Sequence, residues 1–143
     1  MTTFLLDANV LIALIDPAHV RHEDAHAWFA AEGHDAWATC PLTENAVLRI
    51  VGHTRYPNTP GSPAAVAPLL ARLRTLPGHQ FWADDISALD SVLDATRLLT
   101  SGQVTDTYLL ALARAHGGKL ATFDRRLATE AVPDGRRHMH LIA

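Results

Sequence analysis

Five short apolar runs, each too brief to be a helix and the first four each followed by enough chain to hold one, constrain this sequence most. They are Phe4 to Leu6, Ala36 to Cys40, Gln80 to Ala83, Leu120 to Phe123 and Met139 to Ile142. Brief apolar runs bounded by turn residues read as buried strands. The intervening chain carries helical spacing over Val10 to Ile15, His19 to Ala31, Pro41 to Val51, Ala64 to Leu76, Ser87 to Leu99, Val104 to Ala115 and Arg125 to Ala131. No two-residue hairpin signal joins any pair of runs. Strands alternating with helices, without hairpins, predict an α/β chain with a doubly wound parallel sheet.

That architecture gives four acidic residues a common address. Asp7 closes the first run and Asp124 the fourth, while Glu44 and Asp106 open helical patterns, Glu44-Asn45-Ala46-Val47-Leu48 and Asp106-Thr107-Tyr108-Leu109-Leu110. In a parallel sheet the strand C-termini and the helix N-termini that follow them share one edge, and ligands bind there. Each acid has an ordinary explanation when taken singly. Asp7 and Asp124 suit helix caps or turns, Glu44 suits a first helical turn, and Asp106 lies in the capping cluster Thr105-Asp106-Thr107. Together, four carboxylates on one edge repel one another unless a cation holds them. Oxygen-only donors select a hard ion, Mg²⁺ or Mn²⁺. Without it, repulsion should raise some of the carboxyl pKa values.

Three polar neighbours are assigned supporting roles. Asn9 follows Asp7 by two residues and can orient it. Thr122 precedes Asp124 by two, so both point to the same strand face. Thr105 either reaches a scissile phosphate or caps its helix. Tyr56, in the Pro/Gly-rich loop Thr54 to Pro63, either stacks on an unpaired base or packs the loop. Arg125 and Arg126 directly follow Asp124, where one can face a phosphate; Arg136 and Arg137 read as surface charge.

Composition excludes several classes. With 143 residues, the expectation is one domain spanning 1–143. A hydrophobic share of 48% and a charged share of 19% belong to a globular protein. The net charge of −3 is not that of a generally basic nucleic-acid binder, so a polyanion must be held by local arginines or through metal. The lone Cys40 makes an internal disulfide impossible and fits a buried, inert thiol in a reducing compartment. Nothing in the sequence resembles a signal peptide or a membrane span, so the cytoplasm is expected. His22 and His26 lie four apart on one helix, but no companion ligand completes a zinc spacing, and a solvated face is expected.

Taken in order, Leu5-Leu6-Asp7-Ala8-Asn9-Val10-Leu11-Ile12, Pro41-Leu42-Thr43-Glu44, Val104-Thr105-Asp106-Thr107-Tyr108-Leu109-Leu110-Ala111 and Leu120-Ala121-Thr122-Phe123-Asp124 resemble a PIN-domain ribonuclease of the VapC toxin type. The resemblance implies a PIN-like α/β/α sandwich around a central five-stranded parallel sheet in the order 3-2-1-4-5. It implies a Mg²⁺- or Mn²⁺-dependent endoribonuclease whose catalytic and metal-binding quartet is Asp7, Glu44, Asp106 and Asp124. Cleavage by water would leave 5′-phosphate and 3′-hydroxyl ends. Structured RNA such as transfer RNA or ribosomal RNA is the implied substrate. A homodimer and a VapB-like antitoxin that blocks the site are the implied partners. One position departs from the pattern: Ala8 stands where many members carry Ser or Thr directly after the first Asp. Two alternatives are a PIN-like domain that binds RNA without cutting it and a receiver-like signalling module. The latter needs a lysine near the end of the last strand, whereas the only lysine, Lys119, begins one.

Overall fold

A computed structural model describes all residues, 1–143. Its centre is one five-stranded sheet in the order β3-β2-β1-β4-β5, with every neighbouring pair parallel. The strands are β1 (Phe4–Leu6), β2 (Trp37–Thr39), β3 (His79–Phe81), β4 (Lys119–Thr122) and β5 (Met139–Leu141). The five α-helices are α1 (Ala8–Ile15), α2 (His22–Ala31), α3 (Pro41–Val51), α4 (Pro63–Arg74) and α5 (Val104–Ala115). This is the sheet order expected from the motifs.

Alternation along the strands sorts the core into two layers. Phe4, Leu6, Trp37 and Ala121 pack with α1, α2, α3 and α4 on one face. Leu5, Ala38, Cys40 and Leu120 pack with α5 and with Trp82, Leu93, Leu127 and Val132 on the other. Trp28 and Trp37 are both buried. At the N-terminal edge of the sheet, Gly78 has φ of +88° and accepts a bond from Trp37 N–H. A Cβ there would lie 2.4 Å from the His34 carbonyl oxygen, so only glycine fits.

The structure corrects several sequence expectations. No helix forms over residues 87–99. Of the apolar set Leu89, Val92, Leu93 and Leu99 that suggested one, only Leu93 is buried, while Leu89 and Leu99 are 92% and 81% exposed. The backbone there is taken by local side chains: Ser87 Oγ accepts from Leu89 N–H, and Asp94 Oδ1 accepts from both Thr96 N–H and Thr96 Oγ1. Short polar side chains offering such bonds compete with helix formation. Only a 3₁₀ turn, Ala95–Arg97, remains. Residues 125–131 also stay non-helical, although Leu127 and Ala131 are buried.

Helix α2 begins at His22 instead of His19, because Asp16 organises the preceding turn through bonds from Ala18 N–H and His19 N–H, leaving Val20 91% exposed. The pair His22 and His26 is not a purely solvated face. His22 Nδ1 meets the Ala13 carbonyl at 2.6 Å and His26 Nε2 meets the Leu14 carbonyl at 2.8 Å. Both therefore carry their proton on the bonded nitrogen and satisfy carbonyls that end α1.

Candidate active site

The C-terminal edge of the sheet holds the four acids, but in two groups. Asp7 follows β1 and is 6% exposed. It occupies the cap position of α1 yet makes no capping bond with its side chain. Instead Thr122 Oγ1, fully buried at the end of β4, donates to Asp7 Oδ2 at 2.9 Å. The same Oγ1 accepts from Asp124 N–H at 3.1 Å. Thr122 thus ties the first acid to the backbone of the last. Asp124 Oδ1 in turn accepts from Arg126 N–H at 2.9 Å, closing a turn where a helix was expected.

Asp106 enters from the first turn of α5, where the helix dipole favours an anion. Its carboxyl is nevertheless pushed up to about 6, first by burial and then by the charges of Asp7 and Asp124. Asp7 is also raised, mainly by burial, with a smaller contribution from Asp124; the bonds from Thr122 and Ala8 N–H oppose the rise. Mutual repulsion is therefore real, but second to desolvation. No basic side chain contributes to either shift.

Glu44 faces another set of partners. Thr39 Oγ1 donates to Glu44 Oε2 at 2.6 Å, and Arg74 Nη1 lies 3.3 Å from Glu44 Oε1. His79 Nε2 is 2.8 Å from Thr39 Oγ1. Because that hydroxyl proton goes to Glu44, the histidine must donate, which fixes its proton on Nε2. Burial, and then the Arg74 charge, hold the His79 pKa below its ordinary value.

Strand alternation explains the division. Thr39 lies on the Trp37 face of the sheet, with α1 to α4, whereas Asp7 and Thr122 continue the Leu5 and Leu120 face covered by α5. Two fully buried threonines at strand ends, Thr39 and Thr122, therefore each hold one acid, on opposite faces.

Asn9 and Thr105 are exposed, and neither is among the groups that bond Asp7 or shift Asp106. Helix α5 is instead introduced by a Thr100–Gln103 capping box. Tyr56 packs its loop: its hydroxyl donates to Asp16, beside Asn58 Nδ2 at 2.6 Å from the same carboxylate. Arg125 and Arg126 are exposed next to Asp124. Cys40 is buried, and its thiol is raised to about 11 by desolvation, as expected of an inert core thiol.

Sequence reasoning missed Thr39, His79, Arg74 and Asp84, whose Oδ2 accepts from Leu42 N–H in the first turn of α3 at 3.1 Å. Thr39 had a signal, since it closes β2 as Thr122 closes β4. The others reach their partners across 30 to 42 residues and leave no local pattern.

The donor set suits a hard divalent cation: three carboxylates, two of them raised, on a buried edge without a compensating base. As placed, no three His, Cys, Asp or Glu side chains close around one point to hold an ion. The fit is thus one of donor chemistry and charge, with Glu44 held apart by Thr39 and Arg74.

Residues 4–131 match the PIN domain family. Ribonuclease VapC44 of Mycobacterium tuberculosis is 48% identical over 138 residues, covering 96% of each chain. Ribonuclease VapC39 of the same organism is 42% identical over 130 residues, covering 90% of this chain and 94% of its own. Among solved structures, the sarcin–ricin-loop-cleaving toxin VapC20 of M. tuberculosis superposes with a TM-score of 0.63 at 15% identity, over 92% of this chain and 97% of that one. VapBC2 from Rickettsia felis, bound to a promoter DNA fragment, gives 0.54 at 13% identity, over 87% and 89%. At those identities the two structures speak for the fold alone.

Proposed function

The chain belongs to the PIN-domain family, in the branch of the VapC ribonucleases, and from that premise we propose how its own residues carry out the reaction. It is an endoribonuclease of the VapC toxin type. The observation that carries the residue assignment is the trio Asp7, Asp106 and Asp124. They share one edge of the sheet, where burial first and their mutual repulsion second raise two carboxyl pKa values without a basic side chain among them.

In our reading Asp7, Asp106 and Asp124 hold a divalent cation, Mg²⁺ or Mn²⁺, and Glu44 completes the catalytic quartet. When bound, such an ion polarises the scissile phosphate and lowers the pKa of an attacking water. Asp7 presents a carboxylate oxygen fixed by Thr122 Oγ1, so its direction is set before substrate arrives. Thr122 fixes the turn that carries Asp124 through the Asp124 N–H. Asp106, whose carboxyl is pushed up to about 6, gives up its proton only as pH rises through that value, and a bound cation would hold it ionised at lower pH. Glu44, fixed by Thr39 and paired with Arg74, orients the nucleophilic water from the opposite side of the edge. Asn9 and Thr105, both exposed, contact substrate or solvent instead of the acids. Attack by water leaves 5′-phosphate and 3′-hydroxyl ends.

We further propose that residues 1–143 act as one nuclease domain on structured RNA in the cytoplasm, as a homodimer, under a VapB-type antitoxin. No helix is long and apolar enough to cross a membrane. The deciding experiment incubates transfer RNA and ribosomal RNA with the chain in Mg²⁺ or Mn²⁺, with and without chelator, beside Asp7→Asn. Cleavage that needs metal and disappears in the variant supports the assignment. Equal cleavage by both proteins rejects it, and RNA binding without cleavage selects the non-cutting alternative.

A further inference from the structure

Phe81 is out of place for a phenylalanine. It ends β3 at the C-terminal edge of the sheet, where ligands bind, and it is 50% exposed. Phe4 and the three tryptophans are buried, and Tyr56, Tyr108, Phe29 and Phe123 are at least partly so, which leaves Phe81 as the one exposed ring among them.

Its surroundings tie it to the site. Phe81 is in register with Thr39, the residue whose hydroxyl holds Glu44. The Arg74 guanidinium lies over the ring, with Cζ 5.3 Å from the centroid, and the same guanidinium reaches Glu44 at 3.3 Å. One cation therefore touches both the acid and the ring, and Arg74 is itself 41% exposed. A ring with an arginine beside it is how proteins hold unpaired bases, by stacking and cation–π attraction next to a phosphate-seeking charge. Its exposed chain neighbours Gln80, Ala83 and Asp84 add no large apolar side chain to the ring. A docked protein helix would need a contiguous apolar patch, whereas a single base needs only the ring.

We propose that Phe81 and Arg74 form a nucleobase subsite beside Glu44, in which an unpaired base of the RNA stacks on the Phe81 ring and Arg74 supplies the neighbouring positive charge. The subsite selects substrates that present an unstacked base next to the cleaved bond. It rests on the ribonuclease reading of the same edge and adds to it which feature of the RNA is gripped.

The test uses short single-stranded RNAs carrying 2-aminopurine at successive positions, mixed with the Asp7→Asn chain in Mg²⁺ so that binding is read without cleavage. Stacking should quench the fluorophore at one position and leave the others bright. Phe81→Leu, which keeps an apolar side chain without a π face, should remove that quench and weaken binding about tenfold. Phe81→Trp should retain both, and Arg74→Ala should weaken binding while leaving part of the quench. In the otherwise wild-type chain, Phe81→Leu should raise KM for RNA about tenfold with kcat nearly unchanged, whereas a purely structural role for Phe81 would lower the melting temperature without this split. Quenching at no position, or equal quenching with and without the Phe81→Leu substitution, overturns the subsite even if the wild type cleaves RNA. Loss of an antitoxin's binding in Phe81→Leu with RNA binding intact also overturns it, in favour of a protein-docking role. Should the wild type fail to cleave, the nuclease reading falls, and the quench still decides the subsite.

Discussion

Helix α1 begins at one buried aspartate and ends at another, and their carboxyl pKa values are shifted in opposite directions. Asp7 and Asp16 are each 6% exposed. Burial pushes both carboxyls up, and for Asp7 it prevails over the bonds from Thr122 and Ala8 N–H. For Asp16 it does not: the Tyr56 hydroxyl, Asn58 Nδ2 and Ala18 N–H all donate to it, His19 adds positive charge, and the carboxyl ends below its ordinary value. Equal residue exposure thus hides a satisfied anion at one end and a frustrated, more deeply desolvated one at the other. What separates them is how deeply each carboxyl is desolvated, far more at Asp7 than at Asp16, together with the number of donors it meets. Asp16 uses its charge to hold the loop that carries Tyr56 and Asn58. Asp7 keeps its charge for something outside the protein, which is why a perturbed carboxylate marks a functional site better than a buried one.

The largest effect should come from Asp7→Asn. RNA cleavage should fall by about a thousandfold or more, since the change removes a fixed oxygen donor used in the reaction. The metal-free protein should at the same time melt higher, because a frustrated charge has gone. A variant that cleaves normally, or melts lower, would break the contrast between the two ends.

Asp16→Ala should do the reverse. Removing the common acceptor orphans the Tyr56 hydroxyl and the Asn58 amide, at a cost of about 3 kcal/mol in urea unfolding. Cleavage per folded molecule should stay within a few-fold of wild type.

Divalent cation should sharpen the difference further. At a hundred times its Kd, Mg²⁺ or Mn²⁺ should stabilise the wild type by about 2.7 kcal/mol. Differential scanning calorimetry should show that gain in Asp16→Asn and not in Asp106→Asn. A wild type indifferent to both ions would remove the metal assignment.

The smallest effect is the pH dependence of the metal-free chain. Asp106 is raised from 3.8 to about 6, so the folded state binds its proton more tightly than the unfolded state does. Its contribution is favourable at low pH and is lost as pH rises between those two values. Asp16 is lowered, so its contribution is present above the ordinary carboxylate value of 3.8 and is lost as pH falls through its folded pKa. Asp106→Asn should flatten the first slope and Asp16→Asn the second, as read from urea midpoints between about pH 3 and about pH 7.

Much of this was legible in the chain because it was local. Apolar runs and helical spacing placed all five strands, and Asp7, Asp106 and Asp124 stand at the junctions that pattern predicts. Two kinds of feature were not legible. Over residues 87–99 the apolar spacing was helical, yet Ser87 and Asp94 bind the backbone locally and the spacing has no helix to serve. At Glu44 the position was readable but the orientation was not. Its direction depends on Thr39 pointing to the opposite face from Thr122, and on His79 and Arg74 arriving from distant segments. Asp16 likewise reads as an ordinary residue before Pro17, because both its side-chain donors lie 40 or more positions away.

The central place of β1 also has a consequence in time. Residues 4–6 pair on one side with residues 119–121, and the Asp7–Thr122 bond spans 115 positions. Such distant pairing is slow to form, and on a ribosome it must wait until residues 119–122 have emerged. Asp7 is made 115 positions before the threonine that fixes its carboxylate. A chain that stops short of Thr122 and Asp124 therefore carries Asp7 without the contacts that build the site.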